Sequence, residues 1–234
     1  MIGLTCRRCT STDIRKNGRT RTGQQQIHCR NCNFYSTLET KNAQRQAVYH
    51  QVDRLHLERV SQRGIARITG VSRSTIIKRL KKRPQTIITP IIPSFKRPIL
   101  EFDELWSFVG SKNTVVWIWL ALERQTRKIV GVAFGDRSEK TCRRLWESLP
   151  ADYRKRAIIY TDQYGSYIPI LPKKRHRSCK KGSGETNHIE RYNNTLRQRC
   201  ANLVRQALSF SKSFLLHEIR IRLFIEHYNQ TLSV

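Results

Sequence analysis

Apolar positions are sparse over residues 1–40, recur at helical spacing over 41–83, and gather into long runs from residue 99 onward. These regimes predict three kinds of structure. The first stretch is rich in Arg, Thr, Asn and Gln, with Asn17-Gly18 and Gly23 as turn signals, and holds too few aliphatic side chains to build its own core. In the second, residues 43–60 carry Ala47, Val48, Val52, Leu55 and Leu57 among charges and read as a helix. Residues 61–80 read as two short helices. Gly70 supplies the turn between them and Ser72 caps the second. Ala66 is the small residue that lets them approach, and Ile65, Ile68, Val71, Ile76 and Leu80 form their shared core. Residues 84–98 hold Pro84, Pro90, Pro93 and Pro98, which preclude a regular helix and predict an extended linker.

From residue 99 the pattern changes to that of strands. Residues 99–109 read as a first strand, 115–122 as a second that is apolar on both faces and therefore central, and 129–134 as a third, antiparallel to the second. A helix over 138–149 precedes a fourth strand at 157–161 and a short fifth near 176–180. Helices over 187–208 and 212–228 complete the chain, after a break at Gly182-Ser183-Gly184. A meander followed by a parallel crossover is an α/β arrangement, in the strand order of the ribonuclease-H-like fold. The predicted domains are 1–40, 41–83 and 99–234, with 84–98 as linker.

Charge narrows the choice of partner. The chain of 234 residues has 45 Lys+Arg against 17 Asp+Glu, a formal net charge of +28. That imbalance points to a polyanion, and nucleic acid fits best. No segment reaches the ~20 apolar residues of a membrane span, and residues 1–8 lack the apolar core of a signal peptide. The expectation is a cytoplasmic, nucleoid-associated protein. In the 61–80 helix pair, which has the pattern of a helix-turn-helix, Arg73, Ser74, Thr75 and Lys78 are expected to face a DNA major groove. The plainer reading is a helical hairpin with a solvated basic face.

Seven cysteines, an odd number in a chain with no secretory signal, argue against a disulfide framework. Four of them form Cys6-x-x-Cys9 and Cys29-x-x-Cys32, separated by 19 residues. Each pair gives two thiolates to one tetrahedral zinc, a structural Zn²⁺ that leaves no open position for water and supplies the module's folding energy. Cys142, Cys179 and Cys200 lack ligand spacing and read as free thiols.

Three acids stand out against the basic background. Asp103 lies inside the first strand, Asp162 ends the fourth, and Glu190 opens the helix that follows. In this topology the first and fourth strands lie side by side, so the two aspartates become neighbours and Glu190 covers them. Three converging carboxylates repel one another unless neutralised. Two divalent cations ~3.5–4 Å apart would neutralise them and serve a phosphodiester displacement. All-oxygen ligands favour Mg²⁺ (or Mn²⁺) over zinc. Each acid also has a plainer reading: Asp103 as the partner of an arginine, Asp162 as a turn residue before Gln163-Tyr164-Gly165, Glu190 as the capping-box partner of Asn187. Glu101, on the strand face of Asp103, and Glu104, on the opposite face, are rival members, as is Glu185 for Glu190.

Basic and polar residues around the acids have assignable roles. Glu190, Asn194 and Arg197 share one helical face, suited to gripping a phosphate beside the metals. Lys173, Lys174, Arg175, Arg177, Lys180 and Lys181 crowd the segment before that helix and read as phosphate contacts. Trp106, Trp117, Trp119 and Trp146 read as core, and His188 as structural or surface.

With these residues in place, the chain resembles the DDE transposases of the bacterial insertion-sequence-one family. The likeness spans the CxxC pairs, the helix-turn-helix, and the strings 102–106 (FDELW), 160–162 (YTD), 188–197 (HIERYNNTLR) and 208–213 (LSFSKS). It implies that Asp103, Asp162 and Glu190 form a DDE triad, with Arg197 at a position where such enzymes often carry a basic residue. It implies further that the N-terminal modules bind the terminal inverted repeats of the element, and that the protein cleaves and joins double-stranded DNA as a homodimer or higher assembly on DNA. The alternative is a non-enzymatic DNA-binding transcriptional regulator, which has no need of three acids so placed.

Overall fold

A computed structural model describes residues 5–37, 41–83, 97–180, 182–203 and 209–232. The predicted linker thus lies almost wholly outside the described residues, as does Lys181. The chain divides into two compact units, Met1–Arg54 and Leu55–Val234.

The first unit holds an antiparallel sheet in the order β1 (Ile14–Arg19), β2 (Gln25–Cys29), β3 (Tyr35–Thr37). Its buried side chains include Cys6, Ile27 and Cys29, so sulfur takes the place that aliphatic carbon lacks. The two cysteine pairs repeat one backbone design. The N–H of Cys6 donates to the Ser11 carbonyl at 2.8 Å, and that of Cys29 to the Phe34 carbonyl at 2.9 Å. Each turn closes with a positive φ just after the second cysteine, +58° at Thr10 and +55° at Asn33. Helix α1 (Lys41–Leu57) follows and runs to the second unit.

The second unit opens with α2 (Gln62–Thr69) and α3 (Arg73–Lys81). Ser61 and Ser72 cap them, accepting the N–H of Gly64 and of Thr75. Gly70, at φ +70°, turns the chain between them as expected. Ile65, Ile76 and Leu80 are buried, but Ile68 is exposed rather than part of the shared core.

A five-stranded mixed sheet follows, in the order β6-β5-β4-β7-β8. Its strands are β4 (Ile99–Val109), β5 (Ser111–Glu123), β6 (Ile129–Gly135), β7 (Ile158–Thr161) and β8 (His176–Ser178). β4, β5 and β6 form the antiparallel meander, while β7 and β8 join β4 in parallel. Alternation along β4 divides the core between two faces. Leu105 and Val109 join the cluster under α6 (Asn187–Arg199) and α7 (Phe214–Thr231). Leu100 and Phe102 join the one under α4 (Glu139–Ser148) and α5 (Ala151–Arg156). Gly131 lies so close to α4 that a Cβ there would stand 2.7 Å from Leu149.

Two expectations are corrected. The helix expected over 187–208 stops at Arg199, where Cys200 turns extended and a short 3₁₀ turn, Ala201–Leu203, follows. The six-residue α5, masked by its run of charges, was not expected. Of the four tryptophans only Trp119 is fully buried. Among the described residues no helix is long and apolar enough to cross a membrane.

Candidate active site

Parallel pairing of β4 with β7 sets the site. Its register runs Ile99↔Ile158, Leu100↔Ile159, Glu101↔Tyr160. Two steps further along the same register, Asp103 comes opposite Asp162. Glu190 lies in the first turn of α6, on the Asp103 face of the sheet. The electrostatics agree with this convergence. Burial, then the charge of Glu104 and those of Asp162 and Glu190, push the Asp103 carboxyl up to about 7.

Each of the three acids has one oxygen held by an uncharged donor. Asn193 Nδ2 donates to Asp103 Oδ2 at 2.6 Å. The Tyr164 N–H donates to Asp162 Oδ1 at 3.0 Å, and Thr186 Oγ1 to Glu190 Oε1 at 2.9 Å. Among the described residues none of the three makes an ion pair, although the chain carries 45 Lys+Arg. The rivals behave otherwise. Glu101 is fully buried and pairs with Arg124 Nε at 2.7 Å and His188 Nδ1 at 2.6 Å. Glu104 pairs with Arg137 at 3.1 Å, and Arg137 in turn lies over the rings of Trp117 and Tyr164. Burial, and the nearby Asp162 charge, raise the Glu104 carboxyl as well. Glu185 is tied to Arg124 at 3.0 Å.

Glu101 also explains how Glu190 is placed. Its Oε2 accepts the N–H of His188 at 3.0 Å and of Ile189 at 3.1 Å, two of the free donors that open α6. The helix cap is Thr186, which makes no side-chain cap bond of its own. A carboxylate from β4 therefore serves as the cap, in place of the Asn187–Glu190 box. Neither Glu101 in this role nor Asn193 was identified as a site residue from sequence. The signal for Glu101 was its shared strand face with Asp103; for Asn193, one position from Asn194, there was none.

The other expected residues are distributed more widely. Arg73, Ser74 and Lys78 are exposed on α3 and Thr75 is half-buried, while the Ser74 and Thr75 hydroxyls also bond Ser72 Oγ. Lys173, Lys174, Arg177 and Lys180 are exposed. Arg175 instead turns its guanidinium onto the carbonyls of Ala157 and Arg154. Asn194 is exposed, and Arg197 reaches the Trp106 carbonyl at 3.3 Å.

The four N-terminal cysteines bring their sulfurs within 4.8 Å of one another; among the described residues they alone form such a close set of three or more metal-ligand groups. Cys6 and Cys32 stand 3.6 Å apart, as do Cys9 and Cys29. A tetrahedron of Zn–S bonds of ~2.3 Å has edges of about 3.8 Å, so the spacing fits zinc. Burial works against ionisation of Cys6, yet the N–H groups of Arg8 and Cys9 and the neighbouring sulfurs bring its thiol down. Burial and Cys9 push Cys32 the other way, as expected of crowded sulfurs sharing few protons.

Comparison with known proteins gives four findings. A family model described as IS1 transposase matches residues 98–230. Insertion element iso-IS1n protein InsB of Shigella dysenteriae is 40% identical over 131 residues, 56% of this chain and 95% of the relative. Insertion element IS1 4 protein InsB of Escherichia coli (strain K12) is 39% identical over 152 residues, 63% of this chain and 87% of the relative. A chain of the cryoEM structure of the simian T-cell lymphotropic virus intasome in complex with PP2A regulatory subunit B56 gamma overlaps 74% of this chain and 67% of its own, with 13% identity and a TM-score of 0.39. That score is below the level at which a shared fold follows.

Proposed function

The chain belongs to the IS1 transposase family, and on that premise we propose that it is a DDE transposase that cleaves and joins DNA at Asp103, Asp162 and Glu190. The observation that carries the reading is that, among the described residues, these three acids have no cation partner in a chain of +28, while Glu101, Glu104 and Glu185 all have one. Asp103 and Asp162 are half-buried and Glu190 is exposed; like charges brought together in this way repel, and hard divalent cations with oxygen ligands relieve the repulsion. The donor set fits Mg²⁺ or Mn²⁺, because all the ligating atoms are carboxylate oxygens. Bound at the three carboxylates, two such ions would supply activation of an attacking oxygen and charge stabilisation at the leaving one.

The chain's own residues supply the positioning. Asn193 and Tyr164 hold the carboxylates of Asp103 and Asp162 by one oxygen each. Glu101 fixes the start of α6 against β4, and thereby the height of Glu190 over the sheet. The strand order, with β5 antiparallel between β6 and β4 and two parallel strands beyond, supports a ribonuclease-H-like catalytic domain over 99–234. Residues 1–40 are read as a zinc ribbon and 41–83 as a helix-turn-helix, separated from the catalytic domain by 84–98. Together these modules would bind the terminal inverted repeats, with Arg73, Ser74, Thr75 and Lys78 at the major groove. The exposed Lys173, Lys174, Arg177 and Lys180, with Lys181, would hold phosphates, and pairing of two element ends calls for at least a dimer on DNA.

The test is strand cleavage and strand transfer on terminal-repeat DNA with Mg²⁺. Wild-type protein is expected to be active, and Asp103→Ala, Asp162→Ala and Glu190→Ala inactive while still binding DNA. Full activity in any of the three would remove that residue from the triad. DNA binding without cleavage in the wild type would favour the regulator.

A further inference from the structure

Segment 209–213 is fastened to the far end of β4. The Gly110 N–H donates to the Ser211 carbonyl at 2.7 Å, Val109 bridges Ser211, and the Phe108 and Phe210 rings lie 5.6 Å apart. Between this segment, the starts of α2 and α3, and α7 lies a cavity of ≈ 520 Å³. That is within the ~300–1,000 Å³ range of pockets that enclose a ligand. Its charged lining is entirely cationic: Arg63, Arg73, Lys212 and Arg220, with hydroxyls from Ser209, Ser211 and Ser213.

Arg220 is the informative member. It stands on α7 between the buried Ile219 and Ile221, and its guanidinium meets no acceptor or carboxylate among the described residues. Burial lowers its pKa from the usual range, yet an arginine stays charged in proteins. A desolvated cation without a partner is unfavourable, and the fold aims this one into a cavity already lined by three others. The neighbouring His217 adds no further positive charge. It is buried, bonds Asn202 and Ser211 through Nδ1, and burial together with Arg220 holds its pKa down at about 4.

We propose that this cavity binds a backbone phosphate of the DNA, so that Arg220, Lys212 and the start of α3 grip one phosphodiester strand. The inference rests on the reading of the chain as a DNA-binding transposase. Phosphodiester suits it better than a free anion, because Arg73 belongs both to the cavity and to the face of α3 assigned to the groove. Asp103 lies six residues back along β4 from Val109, roughly 20 Å at strand rise. One duplex therefore has the reach to touch both the cavity and the acids.

The experiment uses full-length, zinc-loaded protein. Arg220→Met keeps much of the side-chain volume, and is expected to melt no lower than wild type because it removes a half-buried charge that has no partner among the described residues. Affinity for a duplex of arbitrary sequence is measured across salt concentrations. The slope of log K against log salt is expected to fall in magnitude by about 0.9 in the double variant Arg220→Met, Lys212→Gln, the loss of one phosphate contact, and by a large part of that in Arg220→Met alone. In parallel, inorganic phosphate at constant ionic strength is expected to raise the melting temperature of wild type but not of Arg220→Met. An unchanged salt slope in a folded variant overturns the proposal. If phosphate protects through Arg220 while the slope is unchanged, the cavity takes a free anion and the DNA assignment is wrong. If wild type binds no duplex at all, the proposed function fails with it, and the phosphate arm still reports whether Arg220 holds an anion.

Discussion

The four cysteines of the first unit sit on two copies of one short turn, whereas Asp103, Asp162 and Glu190 come from two strands and a helix far apart in sequence. In the first case the backbone alone, with positive φ at Thr10 and Asn33, brings each ligand pair together. In the second, the proposed ligands are brought near one another only by the pairing of β7 with β4 and by Glu101 at the start of α6. A site built by local turns depends on its metal to fold. A site built by topology depends on the core, and its charges are a burden the core carries. Removing each metal should therefore have opposite consequences for structure and for chemistry.

The largest expected effect is on the first unit. Structural zinc supplies on the order of 10 kcal/mol of folding energy in small modules. Chelation, or Cys29→Ser, should melt β1–β3 while leaving the five-stranded sheet folded. Amide hydrogen exchange resolved by segment checks this. Simultaneous loss of protection in β4–β7 would break the contrast.

Next comes the triad. Replacing one of these carboxylates by its amide is expected to lower cleavage at least ~10³-fold, because bound metal supplies several kcal/mol of barrier reduction. The same change should leave the melting temperature unchanged or raise it, since it relieves the burial of charge and the repulsion that together push Asp103 up to about 7. Parallel melting curves and cleavage assays on Asp103→Asn decide this, and a large loss of stability would contradict it.

Glu101→Ala should behave in the reverse sense. It leaves Arg124 and the open end of α6 without their acceptor, a loss of about 3–5 kcal/mol, measurable by denaturant unfolding. Its cleavage defect, through misplacement of Glu190, should be partly rescued by Glu101→Gln, which keeps acceptor oxygen at that place. The smallest effect is expected at Asn193→Ala. It removes one bond to Asp103, about 1–3 kcal/mol, and should shift the metal concentration needed for activity more than the maximal rate.

The contrast also explains what the amino-acid sequence made legible. CxxC spacing is local, so the cysteine cluster could be read directly. The strand pattern was equally clear from 99 to 135, where hydrophobic runs are long and β4 begins and ends where expected. That Asp103 and Asp162 come side by side followed from the strand order. The role of Glu101 did not, because a capping carboxylate on a strand and the helix it caps share no spacing rule. Asn193 was passed over for Asn194 because a helical face drawn from Glu190 alone ignores which side packs on the sheet. Asn193 is buried and bonds Asp103, while Asn194 is exposed. Helix α6 stopped earlier than its pattern suggested because Cys200 turns extended beside the buried Leu203.

The central claim is the proposal that Asp103, Asp162 and Glu190, which make no ion pair among the described residues, are ligands for divalent cations. Mn²⁺ titration of the zinc-loaded, DNA-bound protein, followed by electron paramagnetic resonance, tests it most directly. Two bound Mn²⁺ per catalytic domain, lost in Asp103→Asn and kept in Glu104→Gln, is the predicted result. Equal Mn²⁺ binding in wild type and Asp103→Asn, or none in wild type, would contradict it.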